Sequence, residues 1–522
     1  MDRLYLNVFL VKPGLKAQGA VNAKGLSKAL DVPIIDGQTA KLHYGLNKGT
    51  PDWFAALAAQ AVRGVSKMPE TSSLSGVVIV SLGKSHFIVT FGHAWQRVDR
   101  AMVEPNFGVR CVLNLAERNK LKSIKRDRIA DDFIQAIEQI PGADDIYRFD
   151  IDTDKDLLTG VKARVKESEN FGLQVAGSDS FIGSIDISKE TIGGYLTRCS
   201  SLYKKTSYQT NFSWVDNVVP VRDDSLVGKL EVELAALVAA KSADISLCIP
   251  DLFSWDDYDL FSYKTKKGGH SPVAYELSPS AWCAFAISEG KIVNADTLRN
   301  SSVYAYQQAS KDLKKKWSVL QCLHGSVSYR KKTYLAHGGR WFQLEQSFVA
   351  EIDAKVAGLT MSKLVLPPLQ SLTETEGAYN ARVAGASNGK IVLLDKKNIQ
   401  HGGGRSRIEV CDLLADSGEL VCVKPWGGGS ASLSHLFQQA QVACRLISED
   451  GGFNTKVKAK LPASHHSMWS KASASTGGAS VVLAVLRSPH PTKLPFFARL
   501  SLSMCVTTLT QMRFQPSYLV VT

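Results

Sequence analysis

The stretch from Ile408 to Pro425, IEVCDLLADSGELVCVKP, constrains the fold most, because it places two apolar segments on either side of a short turn. The first segment alternates and favours a β-strand, A-D-S-G at 415–418 is typical turn chemistry, and the second segment is apolar again. The pattern predicts a β-hairpin with Asp412 and Lys424 near the neighbouring ends of its strands. Lysine is rarely buried without a partner. The two charges therefore form either a site or an ordinary ion pair that faces water.

The segments around this hairpin predict a C-terminal α+β domain over residues 371–522. A helix opened by Thr373 would carry the acids Glu374 and Glu376 near its first turn. Apolar periodicity then predicts, in order, a strand at 390–397, the hairpin, a helix at 430–447, a strand at 480–486, a helix at 494–512 and a strand at 517–522. The resulting order is αβββαβαβ. The helix at 430–447 has an apolar face formed by Leu433, Leu436, Phe437 and Ala440.

The whole chain, with 522 residues, is long enough for about three domains. We predict an α/β domain at 1–130, an α+β domain at 131–361 and the C-terminal domain, joined to the second by a linker that contains Pro367 and Pro368. Within the second domain, the pattern at 128–140 favours a helix. The predicted fold class is therefore α+β and multidomain.

The charge distribution predicts a polyanionic partner. The net charge is +13, and no Asp or Glu follows Asp450. Basic clusters also occur at 118–128 and 311–334. A single cluster is commonly a solvated surface, but three clusters favour nucleic acid. The candidate phosphate contacts are Lys456, Lys458, Lys460, Arg405 and Arg407. The two arginines belong to the Gly-rich segment at 401–407, which is either a phosphate-facing loop or a plain connection.

The lack of a recognisable targeting signal and the spacing of the cysteines predict a cytoplasmic protein. No apolar run approaches the ~18 residues of a membrane span, and the N-terminus resembles a first strand more than a signal peptide. The nine cysteines are scattered without a C-x-x-C pair, which disfavours a zinc site and favours reduced, buried thiols. We therefore expect no membrane partner.

The C-terminal pattern resembles the PD-(D/E)XK nuclease superfamily, because an acid in the first helix is followed by an Asp ending one strand and a Lys ending the next. The resemblance implies an αβββαβ-type nuclease-like domain and a Mg²⁺ ion held by carboxylates. Asp412 would be the first metal ligand, Lys424 the catalytic lysine, and Glu376 or Glu374 the acid on the helix. The lysine would organise the attacking water and stabilise charge on phosphorus.

One position departs from this pattern, since the acid expected two residues before the lysine is Cys422. A thiol is a poor Mg²⁺ ligand. The site is then either degenerate or completed by Glu409 or Asp395. The superfamily also places a polar side chain on the following helix, for which the candidates are Gln438, Gln439 and Gln441.

The chain as a whole resembles a family of sporadically distributed bacterial proteins of unknown function. The stretches FIVTFGHAW, EPNFGVRCVLNL and SLSHLFQQ carry this resemblance, together with the hairpin. It implies a mobile-element or defence-island context. We expect a metal-dependent nuclease that acts on DNA or RNA in bacterial defence. The alternatives are a non-catalytic nucleic-acid sensor on a degenerate nuclease fold, and a kinase-like nucleotide-binding enzyme that uses the Gly-rich loop after Lys424.

Overall fold

The computed structural model contains helices and several β-sheets, arranged as two compact units. It describes residues 3–35, 37–50, 54, 58–59, 70–129, 134–250, 258–307, 313–401, 406–428, 430–473 and 479–522. The first unit comprises residues 1–127 and 134–216, and the second comprises 128–133 and 217–522. Within the described ranges, none of the helices has the length and apolar character that crossing a bilayer requires.

The first unit is built on one ten-stranded sheet with the order β2-β3-β4-β5-β1-β10-β9-β8-β6-β7. Its strands are β1 (Arg3–Leu10), β2 (Lys28–Ile35), β3 (Gln38–Gly49), β4 (Thr71–Leu82), β5 (Ser85–Phe91), β6 (Leu121–Arg128), β7 (Ile134–Asp144), β8 (Asp156–Arg164), β9 (Gln174–Gly177) and β10 (Ser180–Asp186). Its helices are α1 (Phe107–Leu115), α2 (Ile192–Lys204) and α3 (Gln209–Phe212). The core lies between the sheet and the first two helices, where Phe107, Phe181 and Tyr195 are fully buried.

This sheet extends across residue 130, where the sequence predicted a domain boundary. The three predicted ranges remain predictions about segments that fold independently. The helix predicted at 128–140 is wrong where the structure describes it, because Ile134–Asp144 forms the edge strand β7. Residues 130–133 lie outside the described ranges. The pairing of β7 at the sheet edge overrides a local pattern that suits a helix equally well.

The second unit begins with two antiparallel sheets, β11-β18-β17-β16-β12 and β13-β14-β15. The strands are β11 (Val218–Pro220), β12 (Ile245–Leu247), β13 (Leu260–Lys264), β14 (Ser302–Tyr306), β15 (Leu313–Ser318), β16 (Leu323–Tyr329), β17 (Lys332–His337) and β18 (Arg340–Leu344). The helices are α4 (Asp224–Ala239), α5 (Pro279–Ser288), α6 (Ala295–Asn300), α7 (Val319–Cys322) and α8 (Gln346–Ala357). The buried side chains of Leu234, Trp282 and Val303 join these elements in one core.

The C-terminal part of the second unit contains a five-stranded sheet with the order β19-β22-β23-β24-β25. The strands are β19 (Ile391–Leu393), β20 (Ile399–His401), β21 (Ser406–Ile408), β22 (Leu413–Ala415), β23 (Leu420–Pro425), β24 (Ser480–Leu486) and β25 (Gln515–Val521). The helices are α9 (Glu376–Ala386), α10 (Ala431–Glu449), α11 (Gly451–Lys460), α12 (His466–Ala472) and α13 (Phe496–Gln511). If the separate β20–β21 pair and the two short helices α11 and α12 are left aside, the order is the predicted αβββαβαβ.

The predicted hairpin is confirmed, because β22 and β23 are antiparallel with Leu413 opposite Val421 and Leu414 opposite Leu420. Its first strand is shorter than expected, since Ser406–Ile408 pairs instead with Ile399–His401 in a separate two-stranded sheet. The sheet is mixed, because β23, β24 and β25 run parallel.

Helices cover both faces of this sheet, so the strand side chains alternate between two cores. On β23, Leu420 and Cys422 lie in the core that contains Leu436 of α10 and Leu502 of α13. Val421 and Val423 lie in the opposite core with Val383 of α9. The apolar face predicted for α10 is confirmed, since Leu433, Leu436, Phe437 and Ala440 are all buried.

Candidate metal-binding site

Three carboxylates, those of Asp395, Glu409 and Asp412, come together beside the β22–β23 hairpin. One carboxylate oxygen of each residue lies within 4.8 Å of the others. The backbone brings the first and last together, because the amides of Leu394 and Asp395 both donate to the carbonyl of Asp412, at 2.8 and 3.0 Å. Glu409 directly follows β21. The cluster therefore forms where the irregular segment between β19 and β22 folds back on itself.

Asp412 is the most enclosed member of the cluster. Asp412 is only 2% exposed, and its Oδ2 accepts a hydrogen bond from the amide of Val423 at 2.6 Å. The pKa of Asp412 is raised to about 7, mainly by burial; the hydrogen bond from Val423 opposes this rise, and the charges of Glu376, Glu409 and Asp395 contribute to it. A divalent cation bound between the three carboxylates would offset their mutual repulsion.

Glu409 is held in place from two directions. Its Oε1 accepts from the amide of Lys396 at 2.6 Å, and its Oε2 accepts from Nε2 of Gln439 at 3.0 Å. Of the three glutamines that the sequence suggested, Gln439 is therefore the one that contacts the cluster from α10. Gln438 is exposed and Gln441 is half-buried on the same helix.

Lys424 and Glu376 form an ion pair at the edge of the cluster. Nζ of Lys424, at the end of β23, lies 3.0 Å from Oε2 of Glu376, the first residue of α9. A Cβ atom placed on the next residue, Gly377, would lie 3.6 Å from Oδ2 of Asp395. The start of α9 therefore adjoins the carboxylates, and the structure brings together the predicted lysine and the predicted helix acid.

Glu374, the alternative helix acid, lies in a different ion pair. The helix begins two residues later than predicted, because Thr375 rather than Thr373 caps it and accepts from the amide of Ala378. Glu374 precedes the helix, and its Oε1 lies 2.7 Å from Nε of Arg382. The hydrogen bond from Arg382 lowers the pKa of Glu374. The structure thus favours Glu376 over Glu374 as the acid near the site.

Cys422 faces the core that contains Leu436 of α10 and Leu502 of α13, and it is not a member of the carboxylate cluster. It is 1% exposed among apolar side chains, and burial raises the pKa of its thiol well above the usual value. The two substitutes that the sequence offered for the missing acid, Glu409 and Asp395, are the residues beside Asp412. Both lie outside the strands of the central sheet, because β19 and β22 are shorter than the strands that the sequence predicted.

The predicted phosphate-binding lysines are exposed on α11. Lys456, Lys458 and Lys460 all face solvent, and Nζ of Lys456 donates to the carbonyl of Gln400 at 3.0 Å. Gln400 pairs with Arg407, so the lysines lie beside the β20–β21 pair that leads to Glu409. Arg405 lies outside the described residues.

The Gly-rich loop after Lys424 ends at a helix start that already has an anionic partner. Oδ1 of Asp244 accepts from the amide of Ser430 at 2.8 Å and from its hydroxyl at 2.9 Å. Burial raises the pKa of Asp244, while these two hydrogen bonds lower it. A phosphate at this helix start would have to displace the carboxylate. The geometry therefore disfavours the kinase-like alternative.

The donor set of the cluster fits a hard cation such as Mg²⁺ or Mn²⁺. All three candidate ligand atoms are carboxylate oxygens, which these ions prefer over sulfur or nitrogen. The nine cysteines are free, and eight of them are buried. The prediction of buried thiols is therefore confirmed for eight of the nine, and the three ligand atoms of the cluster include no thiol that would favour zinc.

Comparison with known proteins identifies the chain at the family level. Residues 6–522 match a family described as a family of unknown function, DUF6119. A search of curated proteins found no match. Because the family match covers nearly the whole chain, this protein belongs to the DUF6119 family, as the resemblance in its sequence to a family of unknown function led us to expect.

Proposed function

We propose that this protein is a metal-dependent nuclease that cleaves phosphodiester bonds in DNA or RNA, and that it acts in bacterial defence against phage or other mobile elements. The observation that carries the proposal is the convergence of Asp395, Glu409 and Asp412 within 4.8 Å beside the Lys424–Glu376 pair. The defence role rests on the family resemblance alone. The nuclease-like character of the C-terminal fold is part of this proposal.

The acidic residues would hold Mg²⁺, which supplies electrostatic stabilisation of the charge that develops on a phosphate during cleavage. Asp412 provides the buried ligand, and its contact with the amide of Val423 fixes the direction of the carboxylate. Gln439 and the Lys396 amide orient Glu409 in the same way.

Lys424 supplies the cation of the proposed chemistry. Its ammonium nitrogen is held 3.0 Å from Oε2 of Glu376, and its side chain is about one-third exposed, so the lysine is both positioned and open to a substrate phosphate. A preorganised charge of this kind stabilises the transition state more than the ground state. Glu376 acts in this scheme as a positioning residue for the lysine.

The proposal predicts that the full-length protein cuts nucleic acid only when a divalent cation is present. Purified protein should be incubated with single- and double-stranded DNA and RNA in Mg²⁺, in Mn²⁺ and in EDTA. We expect cleavage with either metal and none in EDTA. Cleavage that persists in EDTA would contradict the metal site. No cleavage of any substrate, with binding intact, would favour the alternative of a non-catalytic sensor, an alternative that Cys422 supports because the expected acid is missing.

The basic helix predicts strongly salt-dependent binding. Replacing Lys456, Lys458 and Lys460 by alanine should weaken nucleic-acid binding, and the log–log slope of affinity against salt should fall by roughly 0.9 for each lost phosphate contact. Binding is measured by fluorescence anisotropy in EDTA between low and physiological salt. The matched control replaces three exposed lysines of β2 and β3, Lys28, Lys41 and Lys48, by alanine. An equal loss of affinity in both triple variants would mean that only the net charge matters, and not the position of the lysines on α11.

A further inference from the structure

The three-stranded sheet β13-β14-β15 presents a pair of tyrosines on one face. Tyr304 and Tyr306 alternate along β14, so their side chains project from the same side of the sheet. Their rings are nearly parallel, with an angle of 19° and 6.5 Å between the centroids, and both residues are half-buried. The opposite side of the same strand is core, because Val303 and Ala305 are fully buried. The tyrosines therefore lie on the face of β14 opposite its core side, where they remain partly exposed.

Polar and basic groups surround this pair. Across the sheet, Tyr304 pairs with Ser262 on β13 and with Lys316 on β15. Nζ of Lys316 lies 5.8 Å from the centroid of the Tyr304 ring. The exposed His270 packs its ring edge-on against Tyr304, with 4.6 Å between centroids. We call the set Ser262, Lys264, His270, Tyr304, Tyr306 and Lys316 the tyrosine face.

Hydrogen bonds fix the geometry of the tyrosine face. Nδ1 of His270 lies 3.2 Å from Oγ of Ser262 and 3.2 Å from the hydroxyl of Tyr306. The same hydroxyl lies 3.1 Å from Oγ of Ser262. The rings are therefore held in place by a network before any ligand arrives, which lowers the entropic cost of binding a flat group.

The charge of this sheet is of one sign. The described strands carry four lysines and no Asp or Glu in their sequences, the lysines being Lys264, Lys314, Lys315 and Lys316. Aromatic rings beside lysines on an open sheet are the combination that binds single strands, since unpaired bases stack on the rings and phosphates contact the cations. A duplex keeps its bases stacked inside and offers no ring face to such a surface.

We propose that the tyrosine face binds single-stranded nucleic acid, with bases stacked on Tyr304 and Tyr306 and phosphates beside Lys264 and Lys316. The inference rests on the proposed function, because it names the form of nucleic acid that the acidic site would cut. The sugar is not specified by stacking, so DNA and RNA share this chemistry and are separate arms of the test.

The test measures binding of fluorescent 20-nucleotide single strands of DNA and of RNA, and of the matching duplexes, to the full-length protein in EDTA. Tyr304→Ala and Tyr306→Ala should each weaken single-strand binding by about tenfold or more, the usual loss for one stacking ring. Tyr304→Phe should keep most of the affinity, since it retains the ring. Duplex binding should change by less than about twofold, since stacking on the rings does not contribute to it.

The control is Tyr5→Ala, which removes a tyrosine that is 73% exposed on β1 of the first unit and should leave binding unchanged. Unchanged single-strand affinity in a folded Tyr304→Ala protein would overturn the inference, as would an equal loss of duplex binding. If the alanine variants lose their melting transition, Tyr304→Phe and Lys316→Ala decide. Wild-type affinity in Lys316→Ala, or a tenfold loss of affinity in Tyr304→Phe, would then contradict stacking beside a lysine. Because EDTA prevents metal-dependent cleavage, this result is independent of whether the acidic site is active.

Discussion

Asp412→Asn is expected to abolish divalent-dependent cleavage and, at the same time, to make the metal-free protein more stable at pH 8. Loss of activity by about 10²-fold or more follows from removing the charge of the most buried candidate ligand, an effect comparable to deleting a preorganised electrostatic group. The gain in stability follows from the cost of keeping that charge in a residue that is 2% exposed.

The sign of the pH dependence follows from the pKa of Asp412. The pKa is about 7 in the folded protein, whereas an unfolded aspartate has a pKa of about 3.9. Between these two values the folded chain binds more protons than the unfolded chain, so stability falls as pH rises from about 4 to about 7. Asparagine cannot ionise, so the variant should lack this decline and gain roughly 2–4 kcal/mol over the wild type at pH 8.

These expectations are checked by melting curves at pH 5 and pH 8 in EDTA, and by the cleavage assay in Mg²⁺. Adding Mg²⁺ should raise the melting temperature of the wild type and leave that of Asp412→Asn nearly unchanged, because a ligand stabilises only the state that binds it. Asp416→Asn, in the exposed turn of the hairpin, is the matched control and should alter neither property. Cleavage at the wild-type rate by Asp412→Asn would end the assignment of this residue as a metal ligand.

Cys422→Asp is expected to destabilise the protein by about 3 kcal/mol or more, and not to raise its activity. The substitution restores the acid that the superfamily pattern places two residues before the lysine. Cys422, however, is 1% exposed in the core between the sheet and helices α10 and α13. A carboxylate there would have no cationic partner among the apolar residues of that core.

Urea unfolding at pH 7 measures this loss, with Cys422→Ala as the control that removes the thiol without adding charge. The alanine variant should lose only about 1–2 kcal/mol, as expected for a small cavity. A folded Cys422→Asp protein with wild-type stability and faster cleavage would contradict our interpretation. It would mean that this side chain turns toward the carboxylates and that the superfamily pattern applies at position 422.

The longer elements of the C-terminal segment were predictable because they are long enough to show a period. The strand Ser480–Leu486 and the helix Phe496–Gln511 lie where the sequence predicted them, as does the turn between β22 and β23. The start of α9 was misplaced by two residues, since Thr373 and Thr375 are equally good caps in sequence. The choice is made in three dimensions, where Arg382 pairs with Glu374 and keeps it off the helix.

The candidate site was only half predictable for a related reason. Asp412 and Lys424 adjoin the two strands of the hairpin, so the sequence could place both at its open end. Asp395 and Glu409, 17 and 3 residues before Asp412, fall within the strands predicted at 390–397 and from Ile408, but lie outside strands in the structure. The sequence could therefore name them only as substitutes. Their approach depends on the two amide contacts to the Asp412 carbonyl, which no local pattern encodes.

The hydrogen bonds from Ser430 to Asp244 tie the C-terminal segment to a much earlier part of the chain. Asp244 lies 186 residues earlier, just before β12, yet its carboxylate secures the start of the helix whose Gln439 orients Glu409. A fragment that began at residue 371 would lack this anchor. If this segment were exchanged between proteins, the start of its helix would stay secured only where the residue that holds it was transferred or replaced as well.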